Sequence, residues 1–214
     1  MFTNSSKLVP FLALLISTST NAALFDRGSG FIYDNTLDIT WLQDANYAST
    51  SAYDGDGKMT KAEAQTWVNN LSFGDASEWR LPSAGEATPG FNQTSSEIGS
   101  LFYDSLGNVS NSGQFLNTFQ DNNLNIPQSF LNTELGLYWL DEDYDLAATR
   151  SWAMWTSGYT GNQVVSAYGY AWAVHDGDIA NNNADINNVP IPASAFLFGS
   201  ALLGLMVTRR QAIQ

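Results

Sequence analysis

The sequence predicts an α+β domain, with two main helices set between two groups of antiparallel strands. Two observations lead to this fold class. Segments rich in aromatic and β-branched residues lie near both ends of 23–180, and two amphipathic stretches with helix-capping motifs lie between them. The chain contains no cysteine, so the domain must be held by packing, and it includes all seven tryptophans and eight of the twelve phenylalanines of the chain. The tryptophans expected in the core are Trp41, Trp67, Trp79, Trp139, Trp152 and Trp172.

The first group of strands opens the domain. Residues 24–26, 31–33 and 37–42 have strand-like composition and are separated by the turn sequences Gly28-Ser29-Gly30 and Asp34-Asn35. Short strands joined by such tight turns are typical of an antiparallel meander. We therefore expect a three-stranded meander at the start of the domain.

The first helix follows a glycine-rich loop. Thr60-x-x-Glu63 has the form of a capping box, in which the two side chains satisfy backbone amides at a helix start. Apolar residues then recur at spacings of three and four, and Gly74 lies just beyond the expected end. The predicted buried face consists of Ala64, Trp67, Val68 and Leu71.

The second helix comes after an extended connector, 79–83, in which a proline disfavours helical backbone at the residue before it. Thr94-x-x-Glu97 predicts the start of this helix, and Gly107-Asn108 predicts its end. The predicted buried face consists of Ile98, Leu101, Phe102 and Leu106.

The last part of the domain returns to strands after a mostly irregular stretch, 109–128, that lacks clear periodicity. Four segments are rich in Trp, Tyr and Val, which favour strands. We expect them to form one antiparallel sheet. The segments are 137–140, 151–156, 164–168 and 170–174.

The charge of the chain excludes one class of partner. All 21 acidic residues but only five basic ones fall within 23–188, which gives this stretch a formal charge of −16. A surface so negative repels phosphate and attracts cations, so we expect no nucleic acid partner. The lack of cysteine also excludes cysteine nucleophiles, zinc–thiolate sites and iron–sulfur clusters.

Residues 1–22 have the pattern of a secretory signal peptide. Lys7 precedes an apolar stretch, 8–16, and Thr20-Asn21-Ala22 offers small residues for cleavage after Ala22. The apolar stretch is too short to cross a bilayer. We therefore expect export, with a mature domain at 23–180.

Residues 189–210 have the pattern of a membrane segment, approached by a polar linker at 181–188. Val189-Pro190-Ile191-Pro192 leads into an uncharged run, 193–208, that ends at Arg209-Arg210. Together with Ile191, the run just reaches the roughly 17 to 25 residues that cross a bilayer. Because arginines stay on the cytoplasmic side, we expect a C-terminal transmembrane helix with the domain outside the cell.

One loop partly fits a calcium site. Asp54, Asp56 and Glu63 occupy the third, fifth and twelfth positions of an EF-hand-like loop, with Gly57 at the sixth. The first ligand position is Ala52, which has no side-chain oxygen. The sequence therefore leaves two interpretations open: a weak calcium site, or a tight Asp-Gly turn that leads into a capped helix.

A second acidic cluster lies beside aromatic residues. Asp141 and Asp143 are flanked by Tyr138, Trp139 and Tyr144. Aromatic rings can stack on the apolar faces of sugars while carboxylates accept hydrogen bonds from hydroxyls, so these five residues form a candidate ligand site. The alternative is a solvated loop above core aromatics.

His175-Asp176 contains the single histidine of the chain. No nucleophile lies at a recognisable spacing from it, so we expect a strand-end turn and predict no catalytic residues. Glycosidase chemistry needs only two carboxylates, which leaves a surface polysaccharide hydrolase as an alternative, although the spacing selects no pair.

Several stretches of the mature chain share the pattern of a known family. They are Leu24-Phe25-Asp26-Arg27, Tyr33-Asp34, residues 39–48, Trp79-Arg80-Leu81-Pro82, Leu101-Phe102-Tyr103 and Leu106-Gly107-Asn108. Together they resemble the Lcl C-terminal-like domain of exported bacterial proteins over nearly the whole mature chain. The resemblance implies a C-type-lectin-like fold, in which such a tryptophan-bearing link joins two helices to a twisted sheet. The sugar-binding motifs of calcium-dependent lectins are missing, so the fold alone does not imply sugar binding.

The C-terminal tail also resembles a known signal. Val189, Pro190, Pro192, Arg209 and Arg210 give it the appearance of a PEP-CTERM sorting signal, with Ile191 where the glutamate of that family would stand. Such signals are read by exosortases of Gram-negative bacteria that make extracellular polysaccharide. The resemblance implies an exosortase as a partner and a membrane tether that is at least transient.

These observations predict a non-enzymatic protein at the cell surface or in the extracellular matrix of a Gram-negative bacterium. The expected ligand is extracellular polysaccharide, the membrane is contacted through the C-terminal helix, and calcium is the one cofactor considered. A surface hydrolase and a purely structural matrix component are the alternatives.

Overall fold

The computed structural model describes residues 23–113, 115–122 and 124–181. The predicted signal peptide, the linker from residue 182 onward and the predicted sorting tail with its transmembrane helix lie outside these residues. The chain divides into two units after Ala180, and the following description concerns the first unit. Within the described residues, no helix is long and apolar enough to cross a membrane.

The domain is α+β, with eleven strands in the described residues and sheets that are mostly antiparallel. The strands form a four-stranded sheet, a five-stranded sheet and a two-stranded ribbon. The strands are β1 Leu24–Gly28, β2 Phe31–Asp34, β3 Ile39–Leu42, β4 Lys58–Met59, β5 Thr118–Gln120, β6 Pro127–Ser129, β7 Leu137–Asp143, β8 Arg150–Trp155, β9 Thr160–Val164, β10 Gly169–Tyr170 and β11 Val174–Asp176.

The four-stranded sheet has the order β1-β2-β3-β11 and contains the predicted meander. All of its neighbouring strands are antiparallel, so the prediction for 24–42 is confirmed. The third strand begins at Ile39, two residues later than predicted, because Asp38 has a positive φ of 53° in the turn before it. The pairing of Val174 with Trp41 brings the end of the domain back beside its beginning.

The five-stranded sheet has the order β4-β10-β7-β8-β9. The predicted single antiparallel sheet is wrong in two respects: β10 runs parallel to β7, and β11 belongs to the other sheet. The predicted strand at 164–168 is also wrong. β9 ends at Val164, and the amide of Ala167 bonds back to the Val164 carbonyl in a turn. The stretch 109–128 is mostly irregular, as predicted, apart from the short strands β5 and β6.

The helices are short. They are α1 Tyr47–Thr50, α2 Lys61–Asn69 and α3 Glu97–Ser100, which continues into one π-helical turn, Leu101–Ser105, and a 3₁₀ turn, Ile179–Asn181, follows β11. The predicted capping box of α2 is confirmed: the Thr60 amide donates to Glu63 at 2.8 Å, and the Glu63 amide donates to the Thr60 hydroxyl. Ala64, Trp67 and Val68 are buried as expected. Leu71 differs, because α2 ends at Asn69 and Leu71 lies half-buried beyond it.

The second helix starts later than the sequence predicted. Its N-cap is Ser96, whose hydroxyl accepts a hydrogen bond from the Gly99 amide, so the predicted cap at Thr94 is wrong. A side chain at Gly99 would meet the Gln93 carbonyl oxygen, which explains why a glycine stands in this first turn. The predicted apolar face is confirmed, since Ile98, Leu101, Phe102 and Leu106 are all buried.

Two buried apolar clusters hold the domain together. Trp41 and Trp172 belong to the first, and Trp67, Trp79 and Trp139 belong to the second. All five are at most 3 % exposed, which confirms the prediction that they form the core. Trp152 differs because it is half-buried and packs against the first cluster from the outside.

Residues 79–84, the 79–84 link, connect both sheets to the second helix. The guanidinium of Arg80 forms two hydrogen bonds of 2.8 Å to the Glu97 carboxylate and two more, of 2.6 and 3.0 Å, to Asp176 at the end of β11. The hydrogen bonds to Glu97 and Asp176 raise the pKa of Arg80 above its ordinary value. One side chain thus fixes the link to a helix start and to a strand.

Backbone groups of the link form hydrogen bonds to both sheets. The Arg80 amide and carbonyl pair with Val174 at 2.9 Å, and the Pro82 carbonyl accepts from the Asp141 amide at 2.8 Å. The Ala84 amide donates to the Glu142 carboxylate at 2.6 Å. The link is therefore bonded to the last strand of one sheet and to the central strand of the other.

We expect the Glu97 contact to dominate the stability of this region. Glu97→Gln removes the charged partner of Arg80 at a site where the acid is only 14 % exposed, and it should lower the free energy of unfolding by about 2–3 kcal/mol. Asp176→Asn is the matched control, because Asp176 is 78 % exposed and its loss should cost about 1 kcal/mol or less. Urea unfolding of both variants measures the difference, and equal effects would contradict the assignment.

Candidate binding site

Two of the five residues predicted to contact a ligand are buried. Tyr138 is 3 % exposed and Trp139 is fully buried, so the prediction that their rings are available for stacking is wrong. Their strand, β7, lies between β10 and β8 and is covered on both faces, with Tyr138 in the first apolar cluster and Trp139 in the second. The Trp139 indole N–H donates to the Met59 carbonyl at 2.9 Å, which satisfies it inside the core.

The other predicted residues lie where β7 leaves the core. Asp141, Asp143 and Tyr144 are exposed, with Tyr144 at 41 %. The register between β7 and β8 shifts after Trp139, and the Tyr144 amide donates to the Arg150 carbonyl at 2.9 Å. These three residues therefore lie at the outer end of β7, where the chain enters the turn of the β7–β8 hairpin.

Tyr144 is half of an aromatic pair that the sequence did not predict. Its ring lies edge-on to Trp152, with centroids 4.9 Å apart and planes at 73°. Such edge-to-face pairs are favourable beyond the area that they bury. Trp152 is half-buried against the core, so it holds the more exposed ring of Tyr144 in a defined position on the sheet.

The surroundings of Trp152 are polar. Asn162 lies opposite it on β9, and its side-chain oxygen accepts from Nε of Arg150 while its carbonyl accepts from Nη2 at 3.3 Å. Arg150 and Trp152 are two residues apart on β8 and share one face. The i, i+2 spacing of Arg150 and Trp152 was the sequence signal that could have identified Trp152 as part of the candidate binding site.

The acids of the hairpin have different roles. Glu142 accepts hydrogen bonds from the Ser83 hydroxyl and the Ala84 amide of the 79–84 link. Asp145 accepts from the amide and hydroxyl of Thr149, which lower its pKa and close the hairpin turn. Partial burial of the Asp141 carboxylate raises its pKa and the ammonium of Lys61 opposes this shift, whereas the exposed Asp143 pairs in register with Ser151.

A buried lysine lies beneath the acids. Nζ of Lys61 donates to the carbonyl oxygens of Leu140 and Asp141, at the point where β7 becomes exposed. Burial lowers the pKa of Lys61, and the nearby carboxylates of Asp141, Glu142 and Asp143 oppose this shift. Lys61 thus anchors the base of the hairpin rather than presenting a charge to solvent.

The structure does not bring the predicted calcium ligands together. Asp54 accepts hydrogen bonds from the amides of Asp56 and Gly57, and Asp56 accepts from the amide of Lys58. Glu63 is engaged in the capping box of α2. Among the described residues, no group of three or more Asp, Glu, His or Cys side chains could hold a metal ion. The geometry is that of a turn leading into a capped helix.

His175 and Asp176 are the last two residues of β11 rather than part of a turn. Asp176 pairs with Arg80, and Nδ1 of His175 lies 2.6 Å from the Asp176 carbonyl oxygen. The imidazole also packs edge-on against Trp79. Each group has a structural partner, and this arrangement points to positioning of the strand end.

A small apolar cavity lies between α3 and the sheet. Its volume is about 10 Å³, which is room for roughly one water molecule, and organic ligands need pockets of about 300 Å³ or more. Its lining residues are Ile98, Phe102, Phe115, Tyr138, Met154, Trp155, Thr156 and Trp172. A sugar cannot enter this cavity.

Comparison of the chain with protein-family models, with curated proteins and with solved structures finds no match. The candidate site therefore rests on its own geometry.

We expect Lys61→Met to destabilise the domain by about 1–3 kcal/mol at neutral pH, because the carbonyls of Leu140 and Asp141 lose their donor. The pKa of Lys61 in the folded domain lies below its ordinary value of 10.5. At a pH between these two pKa values, the unfolded chain therefore binds more protons at Lys61 than the folded domain does. The Lys61 contribution to stability should therefore increase as the pH rises through this window towards 10.5.

Unfolding free energies of wild type and Lys61→Met across this pH range measure the effect. Lys58→Met is the control, because Lys58 is exposed and bonded to no buried carbonyl. A wild-type advantage that stays constant with pH would contradict the assigned pKa direction.

Proposed function

We propose that this chain is an exported, non-enzymatic surface protein that binds extracellular polysaccharide through the Tyr144–Trp152 ring pair. The domain would present this pair to the matrix from a C-type-lectin-like fold. Two features support that fold: the 79–84 link bridges both sheets and the second helix, and the residues that carry the Lcl-like pattern include this link.

The observation that carries the proposal is the exposed ring of Tyr144. An aromatic ring fixed on a sheet can stack on a sugar without losing much conformational freedom, because Trp152 already restrains it. Polar groups that could bond sugar hydroxyls lie close by in the register: Arg150 shares the face of Trp152, and Asn162 is the partner of Trp152 on β9. A shallow platform of this kind suits a long polymer better than a small molecule, which needs an enclosed pocket.

The ends of the sequence support the location. An export signal at 1–22 and a sorting tail at 189–210 would bring the domain to the outer surface, where an exosortase reads the tail. In this proposal the membrane helix is a transient tether, and the acidic domain remains at the surface or in the matrix.

We expect Tyr144→Ala to weaken binding to a panel of soluble polysaccharides by about tenfold, since loss of one stacking ring costs on the order of 1–2 kcal/mol. Affinity electrophoresis of the 23–181 domain in gels that contain each polymer measures this. Tyr53→Ala is the matched control, because Tyr53 is 52 % exposed on a loop away from the hairpin. Thermal unfolding of both variants checks that each is folded.

Two results would contradict the proposal. If no polymer in the panel retards the wild-type domain, the domain is not a polysaccharide binder. If incubation releases reducing ends from any polymer, and this release is lost in Asp141→Asn or Asp143→Asn, the chain is a hydrolase instead.

The sorting tail allows a separate test. Replacing Pro190 and Pro192 by alanine should retain the chain in the membrane fraction of a Gram-negative host that has an exosortase, whereas the unaltered chain is released from it. Mass spectrometry of the released protein locates the cleavage. Identical fractionation of both chains, or release in a host that lacks the exosortase, would count against sorting.

A further inference from the structure

Among the described residues, Trp152 and Trp155 are the two tryptophans that are only half-buried, and they point to opposite faces of the five-stranded sheet. Both are on β8, three residues apart. Because side chains alternate along a strand, this spacing places them on opposite faces. The packing is consistent with this, since Trp152 lies against the first apolar cluster and Trp155 against the second. The Tyr144–Trp152 pair therefore uses only one of the two faces.

Trp155 belongs to a second set of rings. The ring centroids of Trp155 and Tyr159 are 5.8 Å apart, and those of Tyr159 and Phe91 are 5.2 Å apart with planes at 72°. Phe91 is 37 % exposed, and the other two rings are half-buried. We name these three residues the Phe91 group. As in the Tyr144–Trp152 pair, a half-buried tryptophan of β8 lies beneath a more exposed ring.

Backbone hydrogen bonds hold Phe91 on both sides. The amide of Gly90 donates to the Thr160 carbonyl at 2.9 Å, and the Thr160 amide donates back to the Gly90 carbonyl at the same distance. On the other side, the Asn92 amide donates to the hydroxyl of Tyr103 at 3.0 Å. The exposed ring is therefore carried by a fixed stretch of backbone, which limits the conformational freedom that it would lose on stacking.

A glycine makes room for the ring of Tyr159. A side chain at Gly161 of β9 would bring its Cβ within 2.5 Å of Cε1 of Tyr159. A glycine inside a strand marks a place where another group approaches the backbone closely. The ring of Tyr159 therefore lies against the sheet, between Trp155 and the exposed Phe91.

The polar groups of the Phe91 group suit a sugar. Within the described part of the chain, the Trp155 indole N–H and the Tyr159 hydroxyl form no hydrogen bond, so both can bond to sugar hydroxyls. The segments that carry the three rings, 87–96 and 155–164, contain no charged residue, although the domain is strongly acidic. An ionic partner finds no counter-charge in these segments, whereas rings beside hydroxyl and amide groups match the apolar faces and hydroxyls of a sugar.

We propose that the Phe91 group is a second polysaccharide-binding surface, so that one domain bridges two polymer chains. The inference rests on the proposed function, because it assigns the same class of ligand to a second face. The two sets of rings lie on opposite faces of the sheet, so one short segment of polymer cannot contact both, whereas two chains can. A domain with two such surfaces would cross-link the matrix that it binds.

Light scattering measures the bridging. Dextran and hydroxyethyl cellulose are each titrated with the 23–181 domain, which contains both apolar clusters. Scattering should rise at intermediate ratios of domain to polymer and fall again at excess domain, because every site on the polymer is then filled by its own domain. Phe91→Ala and Tyr144→Ala should each abolish the rise and lower the affinity for immobilised polymer about tenfold. Tyr53→Ala, which removes another exposed ring, should leave both unchanged.

A second variant tests the Phe91 group without removing a ring. Gly161→Ala displaces the ring of Tyr159 and should also abolish the rise in scattering. Gly55→Ala is the matched control, because a Cβ there meets no atom within 4 Å, and it should bridge as the wild type does. Thermal unfolding of every variant checks that each is folded.

The outcomes separate this inference from the proposed function. If the wild type binds a polymer without any rise in scattering, or if Phe91→Ala and Gly161→Ala bridge as the wild type does, the function stands and the second surface is wrong. If sedimentation without polymer shows a dimer that Phe91→Ala dissociates, the Phe91 group joins two copies of the chain and the inference is wrong. If neither polymer binds the wild type, both the function and the bridging fall.

Discussion

The contact between Arg80 and Glu97 is the interaction on which the arrangement of this domain depends. The sheets share no strand, and the second helix is only nine residues long including its π-helical turn. Arg80 joins a helix start to the end of β11, and the backbone beside it bonds to β7. Because a bidentate guanidinium fixes both distance and orientation, one residue sets how three elements meet. In a chain without disulfides, this connection and the buried tryptophans together stabilise the fold.

The position of the candidate site depends on where β7 passes from the core to the surface. Its first four residues are buried between two apolar clusters, and its last three are exposed acids. Lys61 lies at the boundary and satisfies the two carbonyls there, so the strand can leave the core without unpaired acceptors. The 79–84 link reaches the same segment through Glu142. The rigid core thus extends directly to the base of the hairpin that carries Tyr144.

Local features were predictable where residues close in sequence determine them. The capping box of α2 and the meander of the first sheet depend on hydrogen bonds and turns within a few residues, and the structure has both. The N-cap at Ser96 instead of Thr94 shows the limit of this reasoning, because several polar residues precede Glu97 and the fold selects one of them. Of the five candidate ligand residues, the sequence located the exposed acids and Tyr144 but not the ring that supports it.

The sequence by itself determined the α+β class, the acidic charge, the absence of disulfides and the helical face that packs inward. Only the tertiary structure decided that β10 runs parallel to β7, that β11 returns to the first sheet, and that Tyr138 and Trp139 are buried while Tyr144 is exposed. The physical reason is that an aromatic residue in a strand has the same local preference in the core and at the surface. Its exposure depends on which strands and clusters cover it, and those partners are distant in the chain.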